Sequence, residues 1–330
     1  MSELYLVTGA AGHLGGALLR ALAAQGKSVR ALVLAGERHL PEGDVEIVYG
    51  DVCDTASLEP LFDAQGRELI VIHAAGIVSI ASKFRQIVYD VNVTGTKNIV
   101  DMCVKHSVKK LVYVSSVHAI PEKRKGDVIT EIARFNPDDV IGLYAQTKSE
   151  ATQYVLDAAA NGLDASVVHP SGIIGPGDYG AGHTTALIID FCKKRLTSAT
   201  NGGYDFADVR DVAGGIVACC ARGRRGECYI LSNRYVSVHD LLYIVHEVTG
   251  VREIKNFLPL WFVKLTAPLA ETFYKLTHTP PLFTSYSIYT LNSNALFSHA
   301  KADAELGYTT RDLRETITDT VAWLREHGRV

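Results

Sequence analysis

Residues 4–25 constrain this chain more than any other stretch. Leu4-Tyr5-Leu6-Val7 is a short apolar run, Gly9 to Gly16 is a glycine-rich turn, and residues 14–25 repeat apolar side chains at helical spacing. Strand, tight turn and helix therefore follow one another directly. A helix start attracts anionic oxygens through its unpaired backbone N–H groups. A side chain at Gly9, Gly12 or Gly15 would obstruct the turn, the anion or the packing of helix on strand. G-x-x-G-x-x-G in this setting points to a dinucleotide pyrophosphate, cradled by Gly9, Gly12, His13, Leu14 and Gly15.

The alternation continues down the chain. Residues 28–34, 45–49, 69–73, 110–115 and 165–169 read as strands, and 84–106 and 144–160 as helices between them. Strands alternating with helices predict an α/β, Rossmann-type doubly wound parallel sheet covered on both faces. Past Pro170 the pattern loosens: Gly172, Gly175, Pro176, Gly177, Gly180 and Gly182 crowd one loop beyond a strand's carboxyl end, where open α/β sheets bind ligands. Pro170, Ser171 and Ile173 are candidates there. Later segments read as helical: 209–221, 238–249 with Ser237 as N-cap, 260–276 and 312–327. The expected organisation is a nucleotide-binding domain over 1–170, rejoined by about 204–232, with 171–330 mainly a smaller, mostly helical substrate lobe.

Composition excludes several classes. With a net charge of −3, nothing electrostatic calls for nucleic acid or an anionic membrane surface. Six cysteines without a C-x-x-C pair read as reduced thiols of a cytoplasmic protein, and no metal-ligand spacing stands out. The longest apolar stretch, 257–270, contains Lys264 and two prolines and falls short of the ~20 residues that span a bilayer, so no transmembrane helix is expected. The charged run 122–125 reads as a solvated loop.

A second constellation begins the helix at 144. Tyr144 and Lys148 are four apart and share a helix face. A phenol of ordinary pKa ~10 is a poor acid–base at neutral pH, and a nearby cation favours the phenolate. Ser115-Ser116 ends the fifth predicted strand, where a hydroxyl can hydrogen-bond the oxygen of a reacting carbonyl while the tyrosine moves the proton.

With these residues in place the chain resembles the extended short-chain dehydrogenase/reductase family over nearly its whole length. Matching pieces are the Thr8–Gly15 turn, Gly50-Asp51-Val52, His73-Ala74-Ala75-Gly76, Asn92-Val93-Thr94-Gly95-Thr96, Val114-Ser115-Ser116, the Tyr144–Lys148 pair, 169–176 and 208–213. Within the family it looks most like the branch of 3β-hydroxysteroid dehydrogenases and dihydroflavonol-type reductases, through 258–262, 280–284 and 302–308. The resemblance implies that Tyr144 is the acid–base, that Lys148 holds the nicotinamide ribose and lowers the tyrosine pKa, and that Ser116 polarises the carbonyl. It places Asp51 and Val52 at the adenine and Ala74, Ala75 and Gly76 along the cofactor. Asn92 is either a further cofactor contact or a helix residue bonding backbone. A homodimer is implied through a four-helix interface from 84–106 and 144–160.

The departures are informative. Leu34 stands where NAD-preferring members carry an aspartate that repels a 2′-phosphate. Arg38 can reach such a phosphate, and so can Arg30 unless it points off its strand to solvent. NADP(H) is therefore favoured, with Glu37 keeping NAD(H) open. Val117-His118 replaces the Asp-Glu pair of sugar-nucleotide dehydratases, which disfavours water elimination. Val78, His118, Ser171 and Trp261 are candidate substrate contacts, His118 being alternatively a structural hydrogen-bonding residue. Eight aromatic residues within 257–289 suit a flat apolar substrate, or else they pack the lobe, a membrane surface or a second subunit. The expected function is oxidation of a secondary alcohol or reduction of a ketone, with nucleotide-sugar epimerisation or a silent cofactor-binding sensor as alternatives.

Overall fold

A computed structural model describes residues 2–37, 39–40, 43–79, 84–259 and 285–330. Arg38, Trp261 and the helix expected over 260–276 lie outside the described residues. Seven strands form the main sheet: β1 (Glu3–Thr8), β2 (Ser28–Val33), β3 (Glu46–Tyr49), β4 (Glu68–His73), β5 (Lys110–Val114), β6 (Ala165–Pro170) and the later Cys228–Leu231. All pair in parallel, in the spatial order Cys228–Leu231, β6, β5, β4, β1, β2, β3.

The reason for this architecture is legible in alternate residues of the central strands. Leu4 and Leu6 of β1 and Leu69 and Val71 of β4 face one core, shared with Ile99, Val100, Ala151 and Val155. Tyr5 and Val7, with Ile70 and Ile72, face the other, shared with Leu18, Leu22, Val212 and Ile216. Both faces are apolar, so both need helices, and only a parallel sheet with crossover helices supplies them. The first face takes Gly95–Lys105 and Leu143–Ala160; the second takes α1 (His13–Ala24) and Val209–Arg222. Each fully buried leucine or isoleucine contributes roughly 1.5–3 kcal/mol.

In chain order the helices after α1 are α2 (Thr55–Leu58), α3 (Gln86–Tyr89), α4 (Gly95–Lys105), α5 (Leu143–Ala160), α6 (His183–Cys192), α7 (Val209–Arg222), α8 (Val238–Thr249), α9 (Ser285–Asn292), α10 (Ala300–Leu306) and α11 (Leu313–Glu326). The remaining strands are β7 (Gly172–Ile174), β8 (Ala199–Thr200), β9 (Gly203–Asp208), β10 (the Cys228–Leu231 strand), β11 (Arg234–Ser237) and β12 (Phe257–Leu258). Successive strands run outward from β1 through β2 and β3 on one side, and from β4 through β5 and β6 on the other. The direction reverses between β1 and β4, and their carboxyl ends open the crevice in which such sheets bind ligands.

Several expectations change on folding. The helix expected over 84–106 is two helices joined by a π-helical turn, Asp90–Thr94. That turn aims the buried Asn92 side chain at the loop after β4: its Oδ1 accepts from Ile77 N–H at 2.8 Å and its Nδ2 donates to Ile77 C=O at 3.1 Å. The region after 170 also holds a three-stranded sheet, β11-β9-β7, whose short strands lack the alternation that would mark them in sequence. Its own core joins Phe206, Leu241, Val245, Ile317 and Leu324. Ser237 does cap α8, accepting from Asp240 N–H at 3.0 Å.

Arg30 reaches neither solvent nor a 2′-phosphate. It is 1% exposed, and its guanidinium donates to the carbonyls of Leu61 (3.0 Å) and Asp63 (2.6 Å), tying β2 to the chain beyond α2. These carbonyls and the Glu46 carboxylate, 2.9 Å from Nε, make this buried cation tolerable. The 122–125 run is an exposed loop, as expected, and Glu122 ties it to α9 by accepting from Asn294 N–H (2.7 Å) and from Tyr289 Oη–H (2.6 Å). Among the described residues no helix is long and apolar enough to cross a membrane, and no cluster of His, Cys, Asp and Glu can hold a metal.

Candidate active site

The glycine turn joins β1 to α1 at the crevice. Gly9 has φ +70°, and a Cβ there would lie 2.7 Å from the Ala75 nitrogen, so the backbones following β1 and β4 touch at this point. At Gly15 a Cβ would fall 2.1 Å from the Gly9 carbonyl oxygen, which fixes how closely α1 abuts the turn. No side chain caps α1 at Gly12. The N–H groups of His13, Leu14 and Gly15 thus open the helix with no capping side chain on them, a setting that suits a pyrophosphate. The His13 ring turns away from it, Nε2 lying 3.2 Å from the Pro176 carbonyl oxygen.

Beside the turn, β4 ends in His73. Its Nδ1 lies 2.7 Å from Thr8 Oγ1 and its Nε2 3.0 Å from Thr96 Oγ1. Thr8 Oγ1 also accepts from Ala75 N–H at 3.1 Å, so β1 and the start of the Ala74-Ala75-Gly76 segment are pinned together. Gly76 sits tightly against the site: a Cβ there would lie 3.2 Å from Asn92 Oδ1 and 3.3 Å from Lys148 Nζ, so both side chains would have to give by a few tenths of an ångström. Val78, further along, is 65% exposed.

On the other side of the sheet's midline, α5 presents Tyr144 and Lys148 on one face, both buried. Lys148 Nζ donates to the Val114 carbonyl at 2.8 Å and to Tyr113 Oη at 3.4 Å. Burial pushes its pKa down to about 7. The Tyr144 phenol is pushed up to about 12 by burial, which the neighbouring Ser116 hydroxyl partly offsets. Ser116 follows β5 and caps the 3₁₀ turn Val117–Ala119, accepting from His118 N–H at 3.2 Å.

His118 stands between the catalytic candidates and the lobe. Its ring meets the Tyr144 ring edge-on at 6.0 Å and stacks on Tyr204 of β9, with Nε2 and the Tyr204 hydroxyl 2.9 Å apart. Burial depresses its pKa to about 4, so it is neutral near pH 7. Sequence reasoning missed Tyr113, Tyr204 and Thr8. The first immediately precedes the Val114–Ser116 match, and the second sits in a strand with no periodic signal.

The remaining candidates fall along the same sheet edge. Asp51 follows β3, and its Oδ1 accepts from Cys53 N–H at 2.8 Å. Val52 is buried, a Cβ on Gly95 would lie 2.6 Å from its Cγ2, and its carbonyl accepts from Asn98 at 2.8 Å. Pro170 closes β6, Ser171 is 8% exposed, and Ile173 of β7 packs against the second core.

Comparison with known proteins decides the family. The NAD dependent epimerase/dehydratase family model matches residues 5–232. The chain belongs to that family. It is 32% identical, over all of this chain and 97% of the relative, to a Synechocystis protein named "Putative dihydroflavonol 4-reductase". It is 31% identical to "Sterol demethylase protein B" of Methylococcus capsulatus, over 98% of this chain and 99% of that protein. The solved structure of gox2253 superposes with a TM-score of 0.86 at 30% identity, covering 99% of each chain. The protein is an NAD(P)-dependent oxidoreductase of the extended short-chain dehydrogenase/reductase type.

Proposed function

We propose that this enzyme interconverts a secondary alcohol and a ketone on an apolar substrate, with Tyr144 as acid–base, Lys148 as its cationic partner and Ser116 as the hydroxyl that orients the reacting oxygen. The observation carrying the reading is the convergence of these three side chains at the carboxyl ends of β4 and β5, beside an uncapped helix start. When bound, the nicotinamide supplies or accepts the hydride. The residues of the chain handle the oxygen. With its pKa pushed up, Tyr144 rests protonated, ready to give its proton to a carbonyl oxygen. In the reverse direction the Lys148 cation favours the phenolate needed to take an alcohol proton.

Support for an apolar substrate comes from the stacked His118–Tyr204 wall, from Phe206 and Phe297 packed edge-on against Tyr204, and from relatives named for dihydroflavonol and sterol chemistry. For the cofactor, Leu34 is 54% exposed at the end of β2, where a selective carboxylate would stand, and with Arg30 engaged elsewhere, Arg38 is the cation left to favour NADP(H). The same reading makes the enzyme a cytoplasmic homodimer pairing through α3, α4 and α5.

The test is turnover of NADPH and NADH against ketosteroids, flavonoid ketones and small aliphatic ketones. Stoichiometric consumption of added cofactor is expected, whereas a transient cofactor cycle on a nucleotide sugar would move the protein to the epimerases. Tyr144→Phe is expected to lose roughly 10²–10⁴-fold in kcat with cofactor affinity kept. Wild-type turnover in that variant would sink the mechanism.

A further inference from the structure

Lys148 is a buried ammonium whose supporting groups can be read off one by one. The titratable groups around it are Tyr144 on its own helix, Tyr113 from β5, His73 from β4 and His169 from β6. The two histidines are neutral, since burial pushes their pKa values to about 3 and about 4. His73 is also held in one tautomer. Thr96 Oγ1 donates to the Asn92 carbonyl at 2.7 Å, so it must accept from His73 Nε2–H, which leaves Nδ1 to accept from the Thr8 hydroxyl. His169 Nδ1–H donates to the Ser116 carbonyl at 2.9 Å. None of these groups is an anion.

Tyr113 sits at the centre of this arrangement, with no exposed surface. Its oxygen is 3.4 Å from Lys148 Nζ and its ring centre 4.9 Å from the same atom, so the ammonium lies beside the hydroxyl, at the phenol end of the ring. The same ring stacks on the neutral His73 imidazole at 5.6 Å and 25°, and the Thr96 hydroxyl lies against its phenol. An aromatic face and a phenol oxygen both favour a cation, and they do so more strongly where water is excluded.

We infer that Tyr113 is the positioning residue for Lys148: its ring and hydroxyl, together with the Val114 carbonyl, hold the lysine charged and aimed past Gly76 at the crevice. This rests on the reading of Tyr144 and Lys148 as the reacting pair. Because burial alone brings Lys148 close to neutrality at physiological pH, a small change in its support decides what fraction is cationic. Tyr113 touches no reacting atom. It acts through the lysine.

The experiment uses the full chain with lysines carrying ¹³C at Cε. The Lys148 resonance, assigned by its loss in Lys148→Met, is titrated in wild type, Tyr113→Phe and Tyr113→Met without substrate or turnover. Loss of the ring and hydroxyl in Tyr113→Met is expected to lower the midpoint by roughly half to one pH unit, and Tyr113→Phe, which keeps the ring, by less. An unmoved midpoint in both variants overturns the inference. A purely space-filling role would not move the midpoint. Should Tyr113→Met not fold, Tyr113→Phe still decides: it removes the oxygen 3.4 Å from Lys148 Nζ, and an unmoved midpoint there overturns the inference. Since no turnover is measured, failure here leaves the Tyr144→Phe test standing, and failure there leaves the lysine titration standing.

Discussion

The two walls of the crevice are held by different kinds of contact. On the cofactor side, backbone meets backbone, Gly9 against Ala75 and Gly15 against the Gly9 carbonyl, with the side chains of Thr8, His73 and Thr96 in one buried line of hydrogen bonds behind them. On the substrate side, side chains far apart in sequence meet one another. His118 bonds Tyr204 and stacks on its ring, and Phe206 and Phe297 meet that ring edge-on. Backbone approaches leave no room to relax, whereas side-chain contacts can shift by a rotamer. The first wall should therefore fail all at once, and the second by degrees.

The sharpest test of that contrast is Gly15→Ala. A single methyl group 2.1 Å from a backbone oxygen must push α1 away from the turn. The expected outcome is loss of cofactor binding and a stability loss of roughly 3 kcal/mol or more, seen by thermal denaturation with and without NADPH. Full cofactor affinity in this variant would mean that the turn is softer than its geometry implies.

Acidification probes the buried histidines that back both walls. His73, His118 and His169 have folded pKa values depressed to about 3, 4 and 4, below the ordinary 6.5. Below that ordinary value the unfolded chain takes up protons that the folded chain refuses. Their contribution to stability is thus complete above about pH 6.5 and is lost as the pH falls towards their folded values. The expected slope is up to about 1.4 kcal/mol per pH unit for each histidine. It is read from urea midpoints at successive pH values, and a flat profile down to about pH 5 would show that these rings are not held neutral.

The smallest effect is expected from Tyr204→Phe. It removes the 2.9 Å bond to His118 and keeps the ring that stacks on it. Stability should fall by about 1 kcal/mol, and KM for the carbonyl substrate should rise several-fold with kcat nearly kept. A collapse of kcat comparable to that of Tyr144→Phe would erase the distinction between the walls and make Tyr204 part of the reacting group.

How much of this was legible beforehand follows the same division. The glycine turn, the strands of the first half and the Tyr144–Lys148 face come from local pattern and spacing, which sequence displays directly, whereas the order of those strands across the sheet does not. Arg30 shows the limit: a charged residue in an apolar strand reads as solvent-facing, and its burial is explained by the carbonyls of 60–63 together with the Glu46 carboxylate, 2.9 Å from its Nε. The π turn at Asn92 was equally hidden, because one extra residue per turn leaves the apolar pattern nearly intact while redirecting a side chain towards Ile77.

The sequence by itself therefore determined the parallel sheet, the glycine turn and the placing of Tyr144 and Lys148 on one helix face, since each rests on neighbours within a few positions along the chain. The tertiary structure alone decided what surrounds that pair: Tyr113 beneath Lys148, the neutral tautomer of His73, and the meeting of His118 with Tyr204 across 86 positions. Charge state and support of a buried group depend on everything packed against it, and packing brings together residues that no spacing in the sequence connects.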